Sequence, residues 1–155
     1  IVDKNIYVDS TISKHLLEYE SKLIGEEQRE PNSNVKKSEP TYKEIIEIFR
    51  ILDDCGVKII GALDMGMAKA LFNKAVASAW VHKEWLGFDH WKAIRSVTSL
   101  NAEALRISDS KGLIKKNYIA DMVVFEKDPA KNIRNLTFSP KNVIKHGNLI
   151  KTTID

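Results

Sequence analysis

The chain has 155 residues, 43% of them hydrophobic, which is the size and apolar content of one domain with a real core. Twenty-four basic residues against 21 acidic ones leave a formal charge of +3, spread without a dense Lys/Arg block, so no nucleic-acid partner is expected. The single cysteine, Cys55, excludes an internal disulfide and a cysteine-based zinc site, and no apolar run approaches the roughly 20 residues of a bilayer span; a soluble chain in a reduced, cytoplasmic setting, with no membrane partner, is expected.

The first residues, IVDKNIYVDS, lack the basic-then-apolar layout of a signal peptide. An initial Ile1 in place of Met is expected of a chain that begins inside a longer reading frame or after a removed tag. The β-prone run Ile6–Val8 predicts a short strand, and Ser10 and Thr11 stand where helix caps are expected. Ile12, Leu16, Tyr19 and Leu23 recur at spacings of three and four, which predicts a helix over about 12–24. Residues 25–40, charged, polar and holding two prolines, predict an exposed loop. From Thr41, with Glu44 completing a capping-box pattern, Tyr42, Ile45, Phe49 and Leu52 form the apolar stripe of a second helix that Gly56 closes. VKII, residues 57–60, is too short for a helix and too apolar for an exposed edge; it predicts a buried parallel strand. Strand, helix, strand is the rhythm of a βαβ unit and of an α/β fold.

After Asp64 and Gly66, an Ala-rich stretch predicts a helix through Leu71, Ala75, Ala79 and His82 or Lys83, its small residues permitting close packing. Two short helices follow, one begun near Asp89 and one at Asn101, and the helical part ends near Ile107. From Lys111 onward β-branched runs predict strands, including a hairpin that turns around His146, Gly147 and Asn148.

Several polar residues invite a functional reading. Asp64, between a short strand and a helix, is read as an N-cap in preference to a reacting group when the residues alone are considered. His82 and Glu84 are two apart on a helix and so point to different faces, which predicts surface or rim positions rather than a metal pair. His90 is expected to be exposed or capping, and His15 and His146 to have no catalytic role. Trp80, Trp85 and Trp91 are read as core packing in preference to a substrate pocket, and Cys55 as filling a helix end.

The tail carries a longer pattern. Thr98, Ala104, Lys111, Gly112, Ile114, Ala120, Asp121, Pro129, Ile133, Val143 and Gly147 fall at the spacings of the C-terminal end of the metal-dependent amidohydrolase superfamily, which this third of the chain resembles, in particular its imidazolonepropionase and prolidase-like branch. Leu100 stands where that pattern has Asn, with Asn101 one residue later, and Asn117 stands for a turn glycine, a mild change because Asn tolerates the left-handed conformation. Upstream, YVDSTI and the segment ending in VKIIGALDMG are similar to the family's strand-seven and strand-eight segments, with Ala62 and Leu63 in place of Gly and Thr.

The resemblance implies an α/β fold. Residues 1–107 would be the last two β/α units of a partial (β/α) TIM barrel, and residues 108–155 short strands of a composite β-domain. It also implies that Asp64 is the catalytic aspartate and a ligand of zinc or another divalent metal, in a hydrolase of C–N bonds, amide or cyclic amide, with a small-molecule substrate. The family's histidine ligands are missing, since His15, His82, His90 and His146 form no His-x-His pair. The chain alone is therefore expected to bind no metal and to be inactive, and its open strand edges to call for a homo-oligomer or a missing N-terminal part. A catalytically silent structural or protein-binding fragment that self-associates is the alternative.

Overall fold

Strand β1 (Tyr7–Asp9) lies parallel to strand β2 (Lys58–Ile60), with Tyr7 opposite Lys58, Val8 opposite Ile59 and Asp9 opposite Ile60. The structure, a computed structural model, describes residues 5–11, 42–62, 76–138 and 140–150. The predicted helix over 12–24, the loop over 25–40, His15, Leu71, Ala75 and Asp64 lie outside the described residues. The result is a mixed α/β fold; the described strands form no closed barrel, and β1 and β2 each keep one edge without a strand partner among the described residues.

Between these strands the chain includes helix α1 (Tyr42–Asp54), which realises the predicted stripe at Phe49 and Leu52. Phe49 and Leu52, with Ile46, pack on the core, while Ile48 and Ile51 stay more than half exposed on the other flank. Gly56, at φ 80, ends the helix as predicted, for the left-handed conformation costs glycine nothing. Val57 is buried, as is Ile59 at 2% exposure, so the run predicted as a buried parallel strand is one. Arg50 Nη2 donates to the Trp85 carbonyl at 2.8 Å and so ties α1 to the next helix.

That helix, α2 (Ala77–Leu86), has the small residues Ser78 and Ala79 almost fully buried, which lets the backbones approach closely. Gly87 ends it at φ 77, and Asp89 caps α3 (His90–Ser96) by accepting from the Trp91 and Lys92 amides, both at 2.9 Å. The amide of Lys92 is the main reason the Asp89 carboxyl titrates below its usual range. Helix α4 (Ser99–Ala104) starts two residues before Asn101, the predicted start. Thr98 precedes it, and Asn101 instead turns its side chain toward β2. Trp80 is buried and Trp85 packs on the core as expected; Trp91, beside the α3 cap, is 60% exposed and packs no core.

The tail is less strand-rich than its β-branched residues predict. Residues 111–121 form turns held by local bonds, with Lys111 N–H donating to the Ile107 carbonyl and Ile119 N–H to the Ser110 carbonyl, which leaves that backbone unavailable to a ladder. Strands β3 (Met122–Val124), β4 (Asn142–Lys145) and β5 (Asn148–Ile150) make an antiparallel sheet in that order. The β4–β5 hairpin turns at His146 and Gly147, whose φ values of 50 and 78 are those of a type I′ turn. A 3-10 turn at Ile133–Thr137 inserts Ile133 and Leu136 beside Trp80, Leu86 and Phe88, joining the tail to the core around α2.

Two glycines separate backbone strain from packing. A Cβ on Gly56 would meet nothing within 4 Å, whereas one on Gly112, at φ 92, would lie 2.6 Å from Ala102 Cβ and 2.9 Å from Ser99 Cα. Gly56→Ala should cost about 1 kcal/mol, the left-handed penalty alone, and Gly112→Ala roughly 1–3 kcal/mol more through overpacking. Urea unfolding of the two variants checks the order; equal losses would mean that the Gly112 loop does not press on α4.

Candidate functional site at the carboxyl end of β2

Parallel strands deliver their carboxyl ends to one side, and the segment Ile60–Ala62 leads from there toward Asp64. Every described backbone bond of this segment goes to a different element. The Ser10 amide, just past β1, donates to the Ile60 carbonyl at 3.3 Å. The Gly61 amide donates to the Ser96 carbonyl at the end of α3 at 2.9 Å. Asn101 Nδ2 on α4 donates to the Gly61 carbonyl at 3.0 Å, and the Ser78 hydroxyl on α2 donates to the Ala62 carbonyl at 3.3 Å. Gly61 has no room for a side chain: a Cβ there would come within 2.7 Å of Val97 Cγ1 and 2.9 Å of Ser78 Cβ.

His82 sits behind this segment with no exposed surface, which corrects the expected rim position. The physical reason is that α2 turns the face bearing Ser78 and His82 inward, and both ring nitrogens find partners there. Nε2 lies 2.7 Å from Ser10 Oγ and Nδ1 lies 2.8 Å from Ser96 Oγ. The roles follow from counting protons. The Ser96 hydroxyl donates its only proton to the Ala93 carbonyl at 2.7 Å, so Nδ1–H donates to Ser96 Oγ, and Nε2 accepts from the Ser10 hydroxyl. Burial disfavours the imidazolium and lowers the His82 pKa to about 4. Ser10, read from sequence as a helix cap, thus commits its hydroxyl proton to His82. Glu84 is exposed, as expected.

The other two described histidines, His90 and His146, stand apart. His90 is half-buried and its Nε2–H donates to the Pro129 carbonyl at 2.6 Å, while His146 is exposed in the hairpin turn. Among the described residues no group of three or more His, Cys, Asp or Glu side chains is arranged to hold a metal ion. With both His82 nitrogens held by serine hydroxyls, the described residues do not fit a metal centre. Cys55 is exposed rather than filling the helix end.

The tail pattern proves to be a structural knot. Lys111 Nζ pairs with Asp121, which is the main reason that carboxyl titrates low, and Asp121 Oδ1 accepts the His146 amide at 2.8 Å. The Ala120 carbonyl accepts the Gly147 amide at 3.0 Å. Asn117 adopts φ 69 at the turn position that needs it, as the substitution for glycine implied.

The profile of the amidohydrolase family matches residues 1–150. The chain belongs to the amidohydrolase family. Solved structures similar to this amidohydrolase-family chain include a Xaa-Pro dipeptidase with bound methionine in the active site, 31% identical over 70% of this chain and 26% of its own, TM-score 0.58. A prolidase complexed with N-methylphosphonate-L-proline is 25% identical over the same shares, TM-score 0.61. The ochratoxinase of A. niger, 18% identical, covers 96% of this chain and 33% of its own at TM-score 0.70, a likeness of fold alone. The chain therefore spans about a third or less of these proteins' lengths. No curated protein matches it. No helix among the described residues is long and apolar enough to cross a membrane.

The titration of His82 gives a measurable consequence. Its folded pKa of about 4 lies below the ordinary 6.5, so above pH 6.5 folding is unaffected. As pH falls from 6.5 toward 4 the unfolded state takes a proton that the folded state refuses, and about 3 kcal/mol of stability is lost. Denaturant unfolding at pH 7 and pH 4.5 should show His82→Gln losing less stability over that interval than the parent; equal losses would place a charged imidazole in the fold.

Proposed function

We propose that this chain supplies the C-terminal part of a hydrolase of C–N bonds, amide or cyclic amide, whose substrates are small molecules such as the Xaa-Pro dipeptides named for its structural neighbours. On this reading residues 1–107 are the last two β/α units of a (β/α) barrel and residues 108–155 strands of a small composite β-domain. The observation that carries it is the parallel pairing of β1 and β2, joined through α1 and pinned at the carboxyl end that leads to Asp64, within a family match to residues 1–150. The open edges of β1 and β2 and the exposed Ile48 and Ile51 on α1 support an assembly in which further β/α units complete the sheet.

Asp64 is the group we assign to the chemistry, and the assignment rests on its sequence position after β2. A carboxylate at a strand end can accept a proton from the water that attacks the carbonyl carbon and return it to the nitrogen as the C–N bond breaks. The family is generally metal-dependent, and catalytic zinc takes about three protein ligands. The described residues do not supply them, so the role proposed for this chain is stated at the Asp64 carboxylate alone. The chain by itself is then inactive.

The test is to express the chain joined to the coding sequence directly upstream of it and to assay Xaa-Pro dipeptides and N-acyl amino acids. Turnover is expected from the joined protein, none from the 155 residues alone, and a loss of about a thousandfold in kcat for Asp64→Asn. Turnover unaffected by Asp64→Asn, or hydrolysis by the short chain, overturns the assignment.

A further inference from the structure

The four backbone bonds around Ile60–Ala62 are not independent. Two of them come from Ser10 and Ser96, and these are the residues whose hydroxyl groups meet on the His82 ring. Ser10 gives its amide to the Ile60 carbonyl and its hydroxyl proton to Nε2, and Ser96 gives its carbonyl to the Gly61 amide and its Oγ to Nδ1–H. One imidazole therefore spans the two residues that grip the carboxyl end of β2 from opposite sides, one just past β1 and one ending α3. The ring also backs Gly61 directly, since a Cβ there would lie 3.4 Å from His82 Cε1.

We infer that His82 is a positioning residue: through Ser10 and Ser96 it fixes the course of the strand end from which Asp64 departs. The functional part of this inference rests on the reading of Asp64 as the reacting group. The chemistry suits the task. A neutral imidazole offers one donor and one acceptor on opposite sides of a rigid ring, so it can hold two hydroxyl groups in fixed relation without burying a charge. A flexible side chain of similar size would lose that fixed angle, and an apolar one would leave Ser10 Oγ–H without an acceptor in a site almost closed to water. Ser10, His82, Ser96 and Ser78 are all buried; the first three bond to one another, while the Ser96 and Ser78 hydroxyl protons go to the Ala93 and Ala62 carbonyls, so each side chain has a partner in a polar cluster of the kind that specifies one geometry.

Amide hydrogen exchange on the full 155-residue chain, resolved by NMR, tests this. In Ser96→Ala the acceptor of the Gly61 amide, the carbonyl of residue 96, is still present, yet the Gly61 amide should exchange roughly tenfold faster because its hold on His82 is gone, while α2 amides such as Val81 keep their rates. His82→Gln, which carries a polar group out to the Nε2 position, should keep Ser10 protected and release Gly61; His82→Asn, which reaches only the Nδ1 position, should do the reverse. Acceleration of all amides together would reduce His82 to a contributor to global stability and overturn the positioning role, as would unchanged rates at both Ser10 and Gly61. The rates are read on the chain's own amides, so they decide the role of His82 whether or not Asp64 proves to be the reacting group.

Discussion

The structure depends on satisfying the backbone at the carboxyl end of β2, where the chain leaves the buried Ile59 and Gly61. Ile59 and Gly61 are buried, and the backbone groups between Ile60 and Ala62 would each cost on the order of 1–3 kcal/mol if left without partners. The fold meets this with donors and acceptors brought from four elements: Ser10 beyond β1, Ser78 on α2, Ser96 at the end of α3 and Asn101 on α4. His82 then links two of those residues to each other. Gly61 is what allows the approach, for any larger residue would strike Val97 and Ser78. The polar contacts of Ser78, His82 and Ser96 thus tie α2 and α3 to the parallel strands beside the apolar contacts of Trp80, Val81 and Phe88.

A second constraint operates in the tail. Lys111, Gly112, Asp121 and Gly147 carry the resemblance to the amidohydrolases, and in the structure they hold one another: an ion pair, a glycine pressed on α4 and a carboxylate that accepts the amide of a hairpin turn. Residues of this kind identify a family because they determine how its chain folds. They take no part in the proposed chemistry, which has to be argued from the strand ends. Ile133 and Leu136 extend the same logic, fastening the tail to the core around α2.

The proposed role in C–N bond hydrolysis and the proposed fixing of the β2 strand end by His82 meet at a single stretch of backbone. A carboxylate acts as a general base only if it stands within hydrogen-bond reach of the proton it takes, so the rigidity of the residues before it matters as much as its own acidity. A buried, neutral histidine is suited to that supporting work, because it contributes directionality and no charge that could compete with the reacting group.

The sequence by itself determined the local elements. The apolar stripe of α1, the glycine that ends it, the buried parallel strand at 57–60, the Asp89 cap and the His146–Gly147 hairpin all follow from periodicity and turn chemistry, which act over a few residues. Tertiary structure alone decided which polar residues would meet. Ser10, His82 and Ser96 are 72 and 14 residues apart along the chain, so no spacing rule could pair them, and His82 on its own reads as a rim residue. Asn101 looked like a helix cap because a cap is the nearest use for an Asn, yet its amide answers a carbonyl 40 residues away. Local patterns record what a residue can do with its neighbours; the partners of a buried polar group are settled only when distant elements close around it and exclude water.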